Sequence, residues 1–319
     1  MNVELWIMNG TTAYQPAILS GISWETARVG EPSSLKFSCL QDEKLKITEG
    51  NAVKLIVDGK NVFFGFIFAM QRSNSNEVVV TAYDQLRYLK NKDSYIYTNK
   101  RADQVISMIA NDFALNVGSL ANSGHVIGAK AEDNKTLFDI IQSALEETLR
   151  NTKRLYIFYD DFGRLTLKDS QNMLLNLVID EESGESYSYT SSINDATYNQ
   201  IKLTYDNEET GKREVYVAKD SSNINSWGVL QHYESLKNPQ GASARADALL
   251  SLYNAKTRNL RISKAFGDVR VRAGTSVVVK LNLGDVSLQN FMLVEKAKHT
   301  FDKDSHVMDL TLRGGEFVA

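Results

Sequence analysis

Apolar and polar residues alternate in two separate stretches of the chain, one near each end. The alternation runs over residues 53–57, after a glycine at position 50, and again over residues 277–281, after a glycine at position 274. In both places two further alternating segments follow. A period of two is typical of half-buried β-strands. The pattern predicts that residues 50–83 and 274–312 form corresponding strands of two similar β-domains; chance similarity between two ordinary antiparallel modules is the alternative.

Helical periodicity interrupts the β-pattern at two places. Apolar residues recur at helical spacing over residues 102–113 and 137–145, and again over residues 242–253. Because each helical stretch is followed by renewed alternation, the chain divides into β and α+β parts. The predicted parts are a first β-barrel at 1–97, an α+β domain at 98–170, a second β-barrel at 171–218 and 259–319, and a helix-bearing insertion at 219–258.

Composition narrows the function classes. The chain has 319 residues, a formal net charge of -3 and a single cysteine, Cys39. This length is enough to bury a core without metals or disulfides, and the charge does not indicate a general nucleic-acid binder. A lone cysteine excludes an intrachain disulfide and fits assembly in a reducing cytosol. The longest apolar run, residues 62–70, is less than half the ~20 residues that a membrane span needs, so no membrane insertion is predicted.

Catalytic or metal-binding chemistry has few candidates. Asp160 and Asp161 are adjacent, but neighbouring strand residues point to opposite faces, so a turn role in the tract Asp-Asp-Phe-Gly is favoured over acid–base catalysis. His299 and His306 flank a polar loop, and two histidines at a strand contact are favoured over a metal site. Cys39 lies in a predicted strand and is expected in the core. We therefore predict no catalytic residues, no metal and no cofactor.

Charged strand faces are the remaining candidates for a functional surface. A basic stretch of Lys and Arg residues extends over residues 256–272, and residues 268–272 alternate as a strand would. Aromatic residues do not interleave with these charges, so a solvated face or subunit interface is favoured over a nucleic-acid groove. Together with the polar side of residues 54–57, this predicts Lys54, Arg270 and Arg272 as subunit contacts.

Several segments together resemble the XkdQ/YqbQ-type tail hub proteins of contractile phage tails, known from PBSX-like defective prophages of Gram-positive bacteria. The most specific are the Ala-Tyr-Asp-Gln-Leu-Arg-Tyr-Leu block at 82–89 and the Gly-Asp-Val-Arg-Val-Arg block at 267–272. The other residues that carry the resemblance are 22–25 with Arg28, 49–50, 64–66, 92–93, 159–163, 299–301 and 306–310. Together they span nearly the whole chain.

The resemblance implies a mainly β phage baseplate-hub fold, with two tube-like β-barrels and two small α+β insert domains. It also implies a homotrimeric ring that joins the hexameric tail tube to the trimeric spike. Further expected partners are other baseplate proteins, and the genome would pass through the lumen without sequence-specific binding. The expected location is the virion tail or baseplate of a phage or tail-like particle, assembled in the host cytoplasm, with the spike as a separate protein.

Two alternatives stay open at this point. The first is a cell-wall-binding or wall-degrading tail protein, because the helices and hairpin of residues 98–169 are similar to small peptidoglycan-binding modules. A hydrolase would need positioned carboxylates or a metal, and neither is found at useful spacing. The second is a related secretion-type injection system, which would use the same fold.

Overall fold

The first part of the chain is an antiparallel β-module. The computed structural model describes residues 1–41, 44–72, 76–194, 196–236, 238–282 and 287–314. The strands of the first module are β1 (Val3–Asn9), β2 (Thr12–Tyr14), β3 (Ile22–Ala27), β4 (Ser34–Leu40), β5 (Ala52–Val57), β6 (Lys60–Arg72) and β7 (Glu77–Tyr83). They lie in the order β3-β4-β7-β6-β5-β1-β2, and every neighbouring pair is antiparallel. Their alternate side chains form one buried core.

A tight turn joins β5 to β6, as the turn-forming tract Asp-Gly-Lys-Asn at residues 58–61 predicts. β5 ends at Val57 and β6 begins at Lys60, so Asp58 and Gly59 form the turn. Their φ angles are 47° and 75°. Two consecutive positive φ values match the twist of a two-residue hairpin, and glycine adopts such a value without a Cβ clash. The predicted hairpin is confirmed.

The second part is a compact α+β domain. It begins with a 3₁₀ helix over Gln85–Lys90 and continues with β8 (Lys92–Tyr97), α1 (Ala102–Asp112), β9 (Val117–Leu120), β10 (Lys130–Thr136), α2 (Leu137–Thr152), β11 (Tyr156–Asp160) and β12 (Leu165–Asp169). One small sheet pairs β10 with β8, and the other has the order β11-β12-β9. The apolar faces of both helices lie in one core, as their periodicity predicts. Thr136 caps α2 by accepting a hydrogen bond from the Asp139 amide at 3.1 Å.

The chain then forms two strands, followed by a second α+β part. The elements are β13 (Leu174–Asp180), β14 (Ser186–Ser192), β15 (Gln200–Asn207), β16 (Lys212–Lys219), α3 (Ser221–Trp227), β17 (Gln231–Ser235) and α4 (Ala242–Tyr253). β16, β15 and β17 make a separate sheet, and α4 packs on one of its faces. The predicted boundary at residue 218 placed β15 and β16 in the second barrel; the structure pairs them with β17 instead. Alternation identifies a half-buried strand but not the sheet to which it belongs.

The second β-module closes the chain. It contains β13 and β14 together with β18 (Thr257–Phe266), β19 (Ser276–Asn282), β20 (Ser287–Phe301) and β21 (His306–Gly314). The order is β14-β18-β21-β20-β19, and β13 lies beside β19 in parallel orientation. β20 also pairs with β3, so the two modules share one 13-stranded sheet. The overall architecture is the predicted one, mainly β with two α+β parts.

The two modules repeat the same strand pattern. β3 to β7 and β14 with β18 to β21 have the same order, and all pairs are antiparallel. The correspondence extends to single hydrogen bonds. Gly50 N donates to Ile67 O at 2.8 Å, and Gly274 N donates to Val294 O at 2.8 Å. Both long strands have a register shift just after these positions, before Ala69 and before Lys296. The prediction that residues 50–83 and 274–312 form corresponding strands is confirmed.

Candidate assembly surfaces and the polar junction

Lys54 is the predicted contact residue that lies on a strand. On β5 it pairs across the sheet with Trp6 on one side and Phe64 on the other. Its side chain is half-buried, and Nζ lies 5.9 Å from the centroid of the Phe64 ring. A cation over an aromatic face gains a modest electrostatic attraction. A role of Lys54 between subunits stays a prediction.

Arg270 and Arg272 do not share a strand face. β18 ends at Phe266 and β19 begins at Ser276, and two turns lie between them, with Val271 N bonded to Asp268 O at 3.0 Å. The strand predicted over residues 268–272 is therefore wrong. Apolar and charged residues can also alternate along successive turns. The sequence pattern alone therefore does not distinguish such turns from a strand. Arg270 is exposed and pairs with Asp268, whereas Arg272 points into the molecule.

Arg272 reaches the α+β domain from the second β-module. Its Nη2 donates to the backbone oxygen of Asp160 at 3.1 Å. Its guanidinium carbon lies 3.9 Å from the centroid of the Tyr159 ring, a close cation–π contact. Some surface of the residue stays accessible, but Nε has none and makes no hydrogen bond within the described part of the chain. The charge is thus held inside the protein.

Asp84 brings the first β-module to the same place. It follows β7 directly and caps the 3₁₀ helix, since Oδ1 accepts from the Leu86 amide at 3.1 Å. Its other oxygen, Oδ2, accepts from the Ser33 amide at 3.1 Å. The residue is buried, with 1% of its surface exposed. A carboxylate at this depth needs such partners, because an unpaired buried charge is costly.

Asp160 completes this buried polar cluster, which we call the polar junction: Asp84, Gln85, Asp160 and Arg272. Asp160 Oδ1 accepts from the Gly163 amide at 2.6 Å, and Oδ2 accepts from Gln85 Nε2 at 2.8 Å. The predicted turn role is confirmed, because the bond to Gly163 closes the hairpin between β11 and β12. Sequence reasoning missed the contact with Gln85. The available signal was the polar pair Asp-Gln directly after a strand, inside the segment 82–89.

Burial controls the charges of the polar junction. It raises the pKa of Asp84 well above its ordinary value, with a further rise from Asp160 and an opposing effect of Arg272. Burial also raises the pKa of Asp160, whereas the hydrogen bonds from Gly163 and Gln85 and the charge of Arg272 lower it. The pKa of Arg272 is lowered by burial. One guanidinium therefore compensates two carboxyl groups that come from different parts of the chain.

A histidine pair lies where the two modules join. His299 Nδ1 and His306 Nε2 are 2.9 Å apart, and His299 Nε2 is 2.8 Å from Val271 O. A carbonyl oxygen only accepts, so His299 carries its proton on Nε2, and its Nδ1 accepts from His306 Nε2–H. The Trp24 ring on β3 lies 4.7 Å from His299. This is the predicted pair of histidines at a strand contact, with His299 buried and His306 half-buried.

We predict that His299 makes folding stability fall between pH 6.5 and pH 5. Burial, with His306 nearby, lowers the pKa of His299 to about 3. The unfolded chain takes up this proton below its ordinary pKa of about 6.5, so the stability is complete above that value and is lost as the pH falls towards 3. At pH 5 the loss is about 2 kcal/mol.

Urea unfolding at pH 7 and pH 5 measures this loss against His299→Gln, whose amide bonds to Val271 O and His306 without titrating. The variant keeps Asp84 and Asp160, whose raised pKa values increase the stability as the pH falls. The difference between the two proteins in the stability lost from pH 7 to pH 5 therefore isolates the effect of His299. Equal losses in both proteins would contradict the prediction.

The surroundings of Cys39 and of the two remaining histidines, His125 and His232, are ordinary. Cys39 is fully buried on β4, as predicted, and burial raises the pKa of its thiol. His125 lies 3.7 Å from Glu147, and His232 packs against Tyr198. In the described ranges no three His, Cys, Asp or Glu residues are grouped as a metal site. In the same ranges no helix has the length and apolar character that a membrane span requires.

The fold defined by these modules is that of phage tail proteins. The 43 kDa tail protein of prophage MuSo2 from Shewanella oneidensis has a TM-score of 0.69 and 12% identity, over 97% of this chain and 98% of its own. A tail protein from Neisseria meningitidis MC58 has a TM-score of 0.72 and 11% identity, over 98% and 97%. Identities this low show the shared fold alone.

Sequence similarity identifies the family. The YQBQ-like family model matches residues 22–313. The phage-like element PBSX protein XkdQ of Bacillus subtilis (strain 168) is 30% identical over 97% of this chain and 96% of its own length. The uncharacterized protein YqbQ of the same strain is 28% identical over 97% and 95%. The chain belongs to the YqbQ-like family, and the resemblance noted in the sequence is confirmed.

Proposed function

We propose that this chain is the structural hub of a contractile phage tail or a phage-tail-like particle. Three copies form a ring that joins the hexameric tail tube to the trimeric spike and contacts other baseplate proteins. The genome passes through the lumen without sequence-specific binding. The protein acts without catalysis, is assembled in the cytoplasm of the producing bacterium, and has its place in the virion tail.

The internal repeat carries this proposal. Each chain contains two modules with the same strand order. In both, the amide of an equivalent glycine, Gly50 or Gly274, donates a hydrogen bond to the long strand, β6 or β20. A ring of three such chains therefore has three-fold symmetry by sequence and approximate six-fold symmetry by fold. A closed ring of this kind can meet a three-fold partner on one side and a six-fold partner on the other.

The names of similar proteins support the same proposal. XkdQ belongs to the phage-like element PBSX, one protein of the same fold is a prophage tail protein, and another is a tail protein from Neisseria meningitidis MC58. A further protein of this fold, c3393 of Escherichia coli, is described as a type VI secretion component similar to the phage T4 tail proteins gp27 and gp5; its TM-score is 0.59 and its identity 10%. A secretion-type injection system would use the ring in the same way.

We predict that the chain is trimeric in the assembled particle. Cryo-electron microscopy of isolated tail tips should show three copies at the level where the tube ends, and native mass spectrometry of the hub–spike complex should give three chains. Six copies of this chain with true six-fold symmetry would overturn the proposal. A monomer in dilute solution would not overturn it, because binding of the tube or the spike can be needed to stabilise the closed ring.

We also predict no lytic activity on peptidoglycan. The strongest carboxylate candidate, Asp160, is buried and committed to Gly163 and Gln85, so it is not placed to meet a polymer. Incubation of the full chain with purified cell walls should release no more soluble sugar than buffer does. Release that disappears in Asp160→Asn would establish the wall-degrading alternative, and stable sedimentation of the chain with the walls would establish the wall-binding one.

A further inference from the structure

We propose that consecutive chains of the ring are joined by pairing of β14 in one chain with the second half of β6, residues 69–72, in the next. This inference rests on the ring proposed above and names the surface through which its subunits meet. It follows from the internal repeat, because one copy of such a contact already exists within the chain.

The contact within the chain is the pairing of β3 with β20. The first half of β20 pairs with β19, but residues 296–301 pair along the same edge with β3, antiparallel from Lys296–Ala27 to Phe301–Ile22. A salt bridge of 3.4 Å between Lys298 and Glu25 spans the outer side. Among the described residues, this pairing joins the sheets of the two modules.

The repeat assigns an equivalent to each of these strands. β14 pairs with β18 as β3 pairs with β4, which places Tyr189 at the position of Trp24. Likewise β6 corresponds to β20, because both have their register shift one residue after the bond from the module's glycine. Ala69 therefore takes the position of Lys296, and Gln71 that of Lys298.

Both equivalent edges are open in the single chain. Over the described residues, β14 pairs with β18 alone, and residues 69–72 of β6 pair with β7 alone. Open strand edges carry unpaired amide and carbonyl groups and pair readily with another strand. The strand pairing that joins the first β-module to the second within one chain can therefore form once more, between the second β-module of one chain and the first β-module of the next.

Burial supports the same equivalence. Ile22 on β3 is 4% exposed at the internal contact, whereas its equivalent on β14, Tyr187, is 47% exposed. Ala297 on β20 is 1% exposed, whereas its equivalent on β6, Met70, is only half-buried. An apolar side chain on an open strand edge gains stability when a neighbouring strand covers it. In the ring, the neighbouring chain would cover Tyr187 and Met70.

The internal contact also predicts the register. Lys298 lies opposite Glu25, so Gln71 of one chain should lie opposite Thr190 of the next; Ala69 should lie opposite Ser192. Gln71 and Thr190 are both exposed in the single chain. Directly opposed residues in an antiparallel pair have Cβ atoms about 4.5–5.5 Å apart, close enough for a disulfide after small adjustments.

Cysteine cross-linking in isolated tail particles tests the pairing. The variant Gln71→Cys with Thr190→Cys, oxidised with copper phenanthroline, should migrate as covalent dimers and closed trimers on a non-reducing gel. Gln71→Cys with Ser186→Cys is the matched control, since Ser186 is exposed on the same strand and face but four residues away. Lys298→Cys with Glu25→Cys is the positive control, because the same geometry should give a disulfide within one chain.

The outcomes separate the two proposals. Trimeric particles in which the 71–190 pair cross-links no better than the 71–186 pair, while the 298–25 pair does, would overturn the strand pairing and leave the trimeric hub intact. Six-fold symmetric or monomeric chains in the particle would overturn both. Preferential cross-linking of the 71–190 pair between chains supports both.

A charge exchange gives a second measurement that needs no oxidation. Gln71→Lys with Thr190→Lys places like charges opposite each other and should reduce the yield of intact particles about tenfold or more. Gln71→Lys with Thr190→Glu copies the Lys298–Glu25 pair and should restore the yield of intact particles. Equal yields from both variants would contradict the register.

Discussion

Replacing Arg272 by methionine should destabilise the folded chain by about 3–5 kcal/mol, because Asp84 and Asp160 lose the cation that lowers the pKa of both carboxyl groups. Asp84 and Asp160 are both buried, and burial already raises the pKa of each against the effect of Arg272. The variant also loses the hydrogen bond to Asp160 O and the contact with Tyr159. The midpoint and slope of urea unfolding at pH 7 give the change in free energy.

Arg270→Met is the matched control for this prediction. Arg270 lies two residues away, is exposed, and pairs with Asp268 in its own turn. Exposed pairs contribute about 1 kcal/mol or less, so this variant should change the unfolding free energy by no more than that.

A double variant separates charge compensation from packing. In Asp84→Asn with Arg272→Met, a carboxyl group is removed together with the cation, so part of the lost stability should return. If Arg272→Met were no more destabilising than Arg270→Met, the polar junction would have no role in holding the parts of the chain together.

The second large effect is expected at Gly274, for which the repeat supplies an internal control. Gly50 and Gly274 are equivalent, with φ of 86° and 94°. A Cβ at Gly50 meets nothing within 4 Å, whereas a Cβ at Gly274 would lie 2.2 Å from Ile157 Cγ2. Gly50→Ala should therefore cost about 1–2 kcal/mol from backbone strain alone. Gly274→Ala adds an overpacking cost of about 1–3 kcal/mol.

Urea unfolding of the two alanine variants side by side measures the difference between them. Because the backbone strain is common to both, the difference reports how tightly the second β-module packs on β11 of the α+β domain. A double variant with Ile157→Val, which shortens the β11 side chain, should reduce that difference. Equal effects of Gly50→Ala and Gly274→Ala would show that Ile157 moves aside without cost.

Local patterns were sufficient for the elements themselves. Alternation predicted β5, β7, β19 and β21, and helical spacing predicted α1 and α2, because both periods report which side of an element is buried. The turn at Asp58 and Gly59 followed from its residue types. The same patterns were not sufficient over residues 268–272, where consecutive turns also alternate apolar and charged residues. The role of Lys54 between subunits stays a prediction, since no local pattern names the partner of a strand face.

By itself, the amino-acid sequence determined the class of fold, the internal repeat, and the family to which the chain belongs. These depend on side-chain periodicity and on short motifs, which are local properties. Only the tertiary structure decided that β15 and β16 form a sheet with β17, and that Arg272 reaches Asp160 across 112 residues of chain. It also showed which strand edges remain open. Sheet membership, buried charge compensation and free edges all arise from long-range contacts, in which residues distant along the chain compete for the same neighbours.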